Sequence, residues 1–268
     1  MKRREFIQNL GVVSTAILLP GCRFIDKILP CEYEVCKTAW TNLIAPEDAV
    51  GPFAYVHPDS NIPNVLIYGD SISIDYTEIV RNELEGKASV YRIFKNGHSS
   101  NEFINYMDQL KNTMFQPQLK KGWKFKWDLI HFNVGLHDLK YTLNGELNGK
   151  YDTEKGIQVT SPTQYERNLQ EICEHLQNEY PNATLIFATT TPVPANSKGR
   201  IKGDARKYNH IAKKVLSRYP EILIDDLYSH TLPHHSDWSL KPGNVHYNEA
   251  GIMAQAKQVS RVIKENLP

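Results

Sequence analysis

The stretch "NVLIYGDSIS", Asn64 to Ser73, sets a short apolar run directly against Gly-Asp-Ser. An apolar run of this length closed by a glycine predicts a buried strand and a tight turn, with helical sequence beginning after it. Ser71 then stands at the carboxyl edge of a sheet, where open α/β folds bind and transform their ligands. The same position also suits an ordinary helix N-cap, whose serine oxygen accepts from the first free backbone N–H groups. The tripeptide alone leaves both roles open.

Outward from Ser71 the chain alternates strand and helix. Strand patterns recur at Val65 to Tyr68, Ser89 to Phe94, Leu129 to Val134, Thr184 to Thr189 and Ile222 to Ile224, and the segments between them carry apolar residues at helical spacing. One helix is marked by Ser161, Pro162 and Gln164, a capping box with proline in the first turn, and by Tyr165, Leu169, Ile172, Cys173 and Leu176 along one face. Tyr208, Ile211, Val215 and Leu216 mark another. Such alternation predicts a parallel sheet covered by helices on both faces through right-handed crossovers, a three-layer α/β/α sandwich.

The chain has 268 residues, 41% of them hydrophobic, enough for one main domain of about 200 residues to bury a core without metals or disulfides. Lys plus Arg number 31 against 30 for Asp plus Glu, so no global field draws the chain to nucleic acid, and no nucleic-acid partner is expected. Residues 1–22 read as an export signal: a basic start, an apolar stretch from Leu10 to Leu19 too short to span a bilayer, and a small-residue end. Arg3, Arg4 and Phe6 resemble a twin-arginine pattern, and the terminal "LPGC" resembles a bacterial lipobox with Cys22 as the lipidated residue. Pro20 departs from the usual lipobox residue, and a plain secretory signal with an incidental cysteine is the alternative. The expected address is outside the cytoplasm, on a membrane of the periplasm or cell surface, held by the lipid. Residues 23–62, rich in proline and poor in periodicity, read as a tether and an N-terminal flap packed on the domain, and residues 63–268 as the main domain. Cys31 and Cys36 are close enough in sequence to bridge in an oxidising compartment, while Cys173 reads as a small core residue.

The chemistry follows from what ends each strand. The first ends at Ser71, the second runs into "KNGHSS" with Gly97, and the third into "NVGLHD" with Gly135, His137 and Asp138. Near the C-terminus "KPGNVHYNEAG" places His246 before the final helix. A serine, glycine loops and a late histidine are what acyl transfer requires: a nucleophile, donors for the oxyanion, and a base for the serine proton. These four blocks in this order resemble the SGNH hydrolases, the GDSL esterase and lipase superfamily, of the exported lipoprotein type, over Asn64 to about Leu267. The resemblance implies a flavodoxin-like five-stranded parallel sheet and no cofactor. It implies Ser71 as nucleophile, the N–H groups of Ser71 and Gly97 as oxyanion donors, and His246 as base.

Two blocks depart from the family. "GLHD" places His137 where GxND has asparagine; an imidazole N–H can donate to an oxyanion, with a pH dependence added, and a structural histidine is the other reading. In the family's DxxH block the acid position is Gly243, which has no side chain, and Asn244 lies two residues before His246 rather than three, so neither reproduces the family geometry. Asp237 in "HHSDW" is the favoured replacement for the acid, with a backbone carbonyl serving a Ser-His dyad as the alternative. His234, His235 and Asp237 match no strong ligand spacing, so no metal is expected. Asp70, Trp238 and Tyr247 flank the catalytic positions as candidate substrate-binding residues, whereas Trp123 and Trp127 read as packing. Residues 140–160 carry Asn144-Gly145 and Asn148-Gly149 and predict a hairpin over the pocket. The expected function is a serine esterase removing acetyl or similar acyl groups from carbohydrate. A lysophospholipase, a thioesterase, a glycoside-active relative and a non-catalytic glycan-binding lipoprotein are the alternatives.

Overall fold

In a computed structural model, residues 30–115 and 123–268 are described, the side chains of 30–33 excepted. Residues 1–22, expected to be an export signal ending at Cys22, and the start of the 23–62 segment lie outside the described residues.

Five strands make one parallel sheet: β1 (Asn64–Tyr68), β2 (Ser89–Arg92), β3 (Leu129–Phe132), β6 (Thr184–Ala188) and β7 (Leu223–Asp225), in the order β2-β1-β3-β6-β7. A separate antiparallel pair, β4 (Tyr141–Thr142) and β5 (Ile157–Gln158), forms the hairpin expected in residues 140–160. The central strands are apolar without alternation because helices cover both faces, and all residues of β1 and β3 are buried. Register aligns Val65 with Leu129 and Leu129 with Thr184, so the carboxyl ends of β1, β3 and β6 lie level along one edge.

The helices are α1 (Pro30–Ile44), α2 (Ser71–Glu83), α3 (Phe103–Met114), α4 (Pro162–Glu179), α5 (Asp204–Leu216), the short α6 (Leu227–Thr231) and α7 (His235–Trp238), and α8 (Glu249–Glu265). α2 packs on α8, and α4 packs on α5. α4 starts as its sequence predicts: Ser161 Oγ accepts from Gln164 N at 3.2 Å with Pro162 in the first turn. The reciprocal arm of the capping box is missing, because Gln164 Nε2 donates to Asn168 Oδ1 instead. α8 is fixed to the sheet by a buried polar group, in which Asp225 meets His131 Nε2 at 3.1 Å and accepts from Gln258 Nε2 at 2.8 Å.

The segment expected to be a tether and flap contains α1, which packs on α3 and sends Cys36 and Trp40 into the core. Trp40 Nε1 donates to Phe53 O at 2.8 Å, and its ring meets Trp123 in a cluster with Tyr91, Phe115, Phe125 and Trp127. The packed unit therefore begins before residue 63. Cys31 and Cys36 fall on this helix five residues apart, a spacing that separates their Cα atoms beyond the roughly 7 Å a disulfide spans.

Arg92, at the end of β2, is fully buried and holds the turn after β1 from beneath. Its Nη2 donates to Gly69 O at 2.8 Å and to Asp70 O at 3.2 Å, and its Nη1 donates to Ser73 Oγ at 2.6 Å. Burial pushes its pKa down to about 10, still far above neutrality. Replacing Arg92 with Met removes these charge-assisted bonds and should lower unfolding stability by about 2–4 kcal/mol. A denaturant midpoint within error of the parent would show that the guanidinium does not hold this turn.

Candidate active site

The Gly69–Asp70 turn delivers Ser71 as the first residue of α2. Asp70 is the N-cap: its Oδ1 accepts from Ile72 N at 3.0 Å, and the residue is buried. It is thereby committed to the helix end rather than to substrate, a correction to the role expected from its place beside the nucleophile. Ser71's own N–H has no acceptor among the described residues and points from the positive end of the helix dipole. That is the position of an oxyanion donor.

Ser71 Oγ lies 2.8 Å from His246 Nε2. A short antiparallel bridge between Ser239 and Tyr247 carries the histidine there, with Leu240 N donating to His246 O and Asn248 N to Trp238 O. On the far side of the ring, His246 Nδ1 lies 3.0 Å from Asn244 Oδ1, which also accepts from His246 N at 2.9 Å. The backbone N–H can only donate, so the amide atom turned toward both must be oxygen. Nδ1 therefore carries the proton, and Nε2 is left as the acceptor for the serine.

Asn244 thus occupies the place expected for Asp237. Asp237 is exposed, its Oδ1 accepting from Ser236 Oγ at 3.3 Å, and it does not meet His246. The family's acid position cannot serve either: Gly243 has φ +73°, and a Cβ there would fall 2.8 Å from Asn196 O. The signal for Asn244 was present as an Asx-turn, in which an asparagine bonds the backbone two residues on.

Gly97 also differs from expectation. Its N–H donates to Gly69 O at 2.9 Å, so it is spent on the nucleophile turn and is not free for an oxyanion. Glycine is required there, because a Cβ would meet Gly69 O and the Tyr68 ring at 2.7 Å. Further along the loop, His98 N donates to Asn96 Oδ1 and Ser100 N to Asp138. The N–H of Ser99 has no acceptor among the described residues, and its buried Oγ is unpartnered as well. Ser99 was not singled out from sequence. Asp138 ties this loop to the end of β3, accepting from Ser100 N and Oγ, and burial raises its pKa to about 6.

His137 packs against this loop, its ring 5.4 Å from that of His98. Lys140 Nζ lies 3.1 Å from His137 Nδ1. An ammonium has no lone pair, so Nδ1 accepts and Nε2 carries a proton that it can donate. Burial first, then the charges of Lys140 and Arg200, push the imidazole pKa down to about 2. His137 is a neutral donor across the working pH range, like the amide it replaces, and the pH dependence expected of it is absent.

The two aromatic candidates are placed for packing. Tyr247 is 3% exposed, and Trp238 has its ring stacked on His234 at 4.5 Å and 25°. Trp123 and Trp127 are buried as expected. Among the described residues no group of three or more His, Cys, Asp or Glu is placed to hold a metal ion. A groove of about 400 Å³ lined by Phe115, Phe125, Trp127 and Tyr180 opens beside the starts of β3 and β6, at the opposite edge of the sheet from Ser71.

The arrangement can run acyl transfer. His246 takes the Ser71 proton as Oγ attacks a carbonyl, Asn244 holds the imidazole in the required tautomer, and the carbonyl oxygen gains charge beside Ser71 N–H, with His137 Nε2–H the candidate second donor. Asn244 supplies orientation without charge, so Asn244→Ala should lower turnover by about tenfold, the worth of one hydrogen bond, while Asp237→Asn stays within about twofold. The reverse order in steady-state kinetics would restore Asp237. His137→Ala should lose about 100- to 1000-fold in turnover, with His137→Asn recovering part of it. Its depressed pKa has a stability consequence with a definite sign. Below about pH 6.5 the unfolded chain takes up a proton that the folded protein refuses, so this residue costs stability increasingly as pH falls toward 2. The fall in melting temperature from pH 7 to pH 5 should therefore be smaller in His137→Asn than in the parent; an equal or larger fall would mean that His137 protonates freely.

The model of the GDSL-like lipase/acylhydrolase family matches residues 67–253, more than half of the chain. A multidomain esterase of Ruminococcus flavefaciens is 28% identical over 110 residues, which cover 40% of this chain and 12% of that protein. The chain thus spans a small part of that relative's length. The solved lipase/acylhydrolase from Enterococcus faecalis superposes with a TM-score of 0.55 at 14% identity, covering 77% of this chain and 97% of that one. An acetylxylan esterase from Geobacillus stearothermophilus, solved as a catalytic mutant, gives 0.54 at 16% identity, covering 75% and 94%. At such identities the two structures bear on the fold, and they share it. With the family match running from β1 into α8, the chain belongs to the GDSL-like lipase/acylhydrolase family.

Proposed function

We propose that this esterase removes acetyl or similarly short acyl groups from carbohydrate outside the cytoplasm, tethered to a membrane through lipid on Cys22. The observation that carries the esterase part is the 2.8 Å contact between Ser71 Oγ and His246 Nε2, with the free N–H of Ser71 beside it. The carbohydrate part is supported by the export signal of residues 1–22 and by the acetylxylan esterase among the similar folds. The β4-β5 hairpin bears on the choice against a lipase. Its exposed apolar side chains are Leu143, Tyr151 and Ile157, which in an otherwise polar stretch do not amount to the apolar lid a lipid substrate calls for.

The test is acetate release from acetylated polysaccharides by the purified protein and by Ser71→Ala. The parent should release acetate and the variant should fall by at least about 1000-fold, because removing the nucleophile leaves only binding and oxyanion contacts. Ser71 contributes little to the fold beyond its place in the first turn, so the melting temperature should hold. Equal release by both proteins would reject Ser71 as nucleophile. Release of fatty acid from lysophospholipid, with none from acetylated glycans, would move the substrate to lipid.

A further inference from the structure

We propose that the carbohydrate bearing the scissile ester also carries an anionic oxygen group, a carboxylate above all, which Lys140, Lys198 and Arg200 bind beside the oxyanion site. This rests on the carbohydrate reading above and narrows it to acidic glycans.

Three separate segments build the cluster. Lys140 follows β3, three residues after His137, and its Nζ lies 3.1 Å from His137 Nδ1. Lys198 and Arg200 belong to the loop between β6 and α5, where Arg200 Nε donates to Leu136 O at 2.9 Å, one residue before His137. Tyr151 of the hairpin joins them, its ring centre 5.6 Å from Lys140 Nζ and 5.4 Å from Lys198 Nζ. Tyr141 N donates to Gly199 O at 2.8 Å, which pins the hairpin to the loop. Gly199 allows the close approach: its φ is +68°, and a Cβ would meet the Tyr151 ring at 2.8 Å.

The cluster is left without neutralisation. None of the three cations forms an ion pair among the described residues. Asp70 is the carboxylate whose charge reaches Lys140 and Arg200, but its Oδ1 is taken by Ile72 N and its Oδ2 meets neither of them. Lys140 is 6% exposed and has one acceptor, His137 Nδ1, for its three donors. Burial and the nearby Arg200 push its pKa down to about 8, and burial lowers that of Arg200 too. Cations so buried are ordinarily met by carboxylates of the protein itself. An anion brought by the substrate would relieve both the desolvation and the mutual repulsion.

The position of the cluster ties it to the reaction. Asp70, the residue before Ser71, interacts electrostatically with both Lys140 and Arg200, and His246 with His137, which sets the cluster on the nucleophile's side of the sheet.

The test compares kcat/KM for acetate release from an acetylated polyuronate and from acetylated xylan, a neutral glycan. The parent should favour the acidic polymer by roughly 10- to 100-fold, the worth of one or two charge-assisted hydrogen bonds. Lys198→Gln, an exposed position, should reduce that ratio several-fold, and Arg200→Gln should bring it close to one. Because Arg200 also holds Leu136, the Lys198 variant keeps the test decisive if Arg200→Gln fails to fold. Raising salt should lower the parent's ratio. A parent ratio near one, with Ser71-dependent acetate release intact, would overturn the acidic-glycan assignment and leave the carbohydrate esterase standing. A ratio unchanged in Lys198→Gln and in folded Arg200→Gln would equally overturn the role of these side chains. Activity confined to lysophospholipid, whose phosphate offers the same charge, would overturn this inference and the carbohydrate reading together.

Discussion

The chemistry depends on one constraint, the fixing of the Gly69–Asp70 turn that presents Ser71. The Gly69 carbonyl would otherwise be stranded in a dry interior, where an unmet polar group costs about 1–3 kcal/mol. Arg92 donates to the Gly69 and Asp70 carbonyls, Gly97 N–H adds a second bond to Gly69 O, and the Asp70 carboxylate closes the first turn of α2. A residue with φ, ψ and side chain all held in this way needs no reorganisation when it reacts. The other loops are then positioned relative to it: Gly97 binds the β2-α3 loop to the turn, Asp138 binds that loop to the end of β3, and His246 reaches over from the loop before α8.

The substituted blocks change how the usual roles are met without removing the means to meet them. Where the family has a carboxylate behind the histidine, this chain uses the oxygen of an amide. Asn244 fixes the tautomer but cannot neutralise the imidazolium formed on proton transfer, a lesser service than a buried acid performs. Where the family has an amide, this chain carries the His137 imidazole, kept neutral by burial and with its proton held on Nε2 by Lys140 at Nδ1. Lys140 therefore serves two ends, and burying it without a carboxylate works against stability. Such unfavourable electrostatics concentrate at working sites.

Much of this was legible in the sequence, and the parts that were not have physical reasons. The sheet strands announced themselves because uninterrupted apolar runs ending at glycine or polar loops have few other solutions, and the Ser71–His246 pair followed from their places after a strand and before a helix. Asn244 was set aside because it lies two residues before His246 where the family spacing is three, while the actual contact is a local Asx-turn. Gly97 was assigned by its motif, but which amide of a loop stays free depends on backbone pairing that no local pattern encodes. α1 was missed because its periodicity is weak, its burial resting chiefly on Cys36 and Trp40 within an aromatic cluster assembled from distant segments. Tyr247 and Trp238 look like sugar platforms in sequence, yet the bridge that delivers His246 turns one inward and stacks the other on His234.

The central claim is that Ser71 is a nucleophile activated by His246 in the geometry seen here, and covalent labelling tests it most directly. The purified protein would be treated with a fluorophosphonate and digested, and the modified peptide read by mass spectrometry, with His246→Ala treated in parallel. The account predicts one adduct, on Ser71, formed at a rate that collapses in the His246 variant. An adduct on another residue, or labelling of Ser71 at the parent rate without His246, would contradict it.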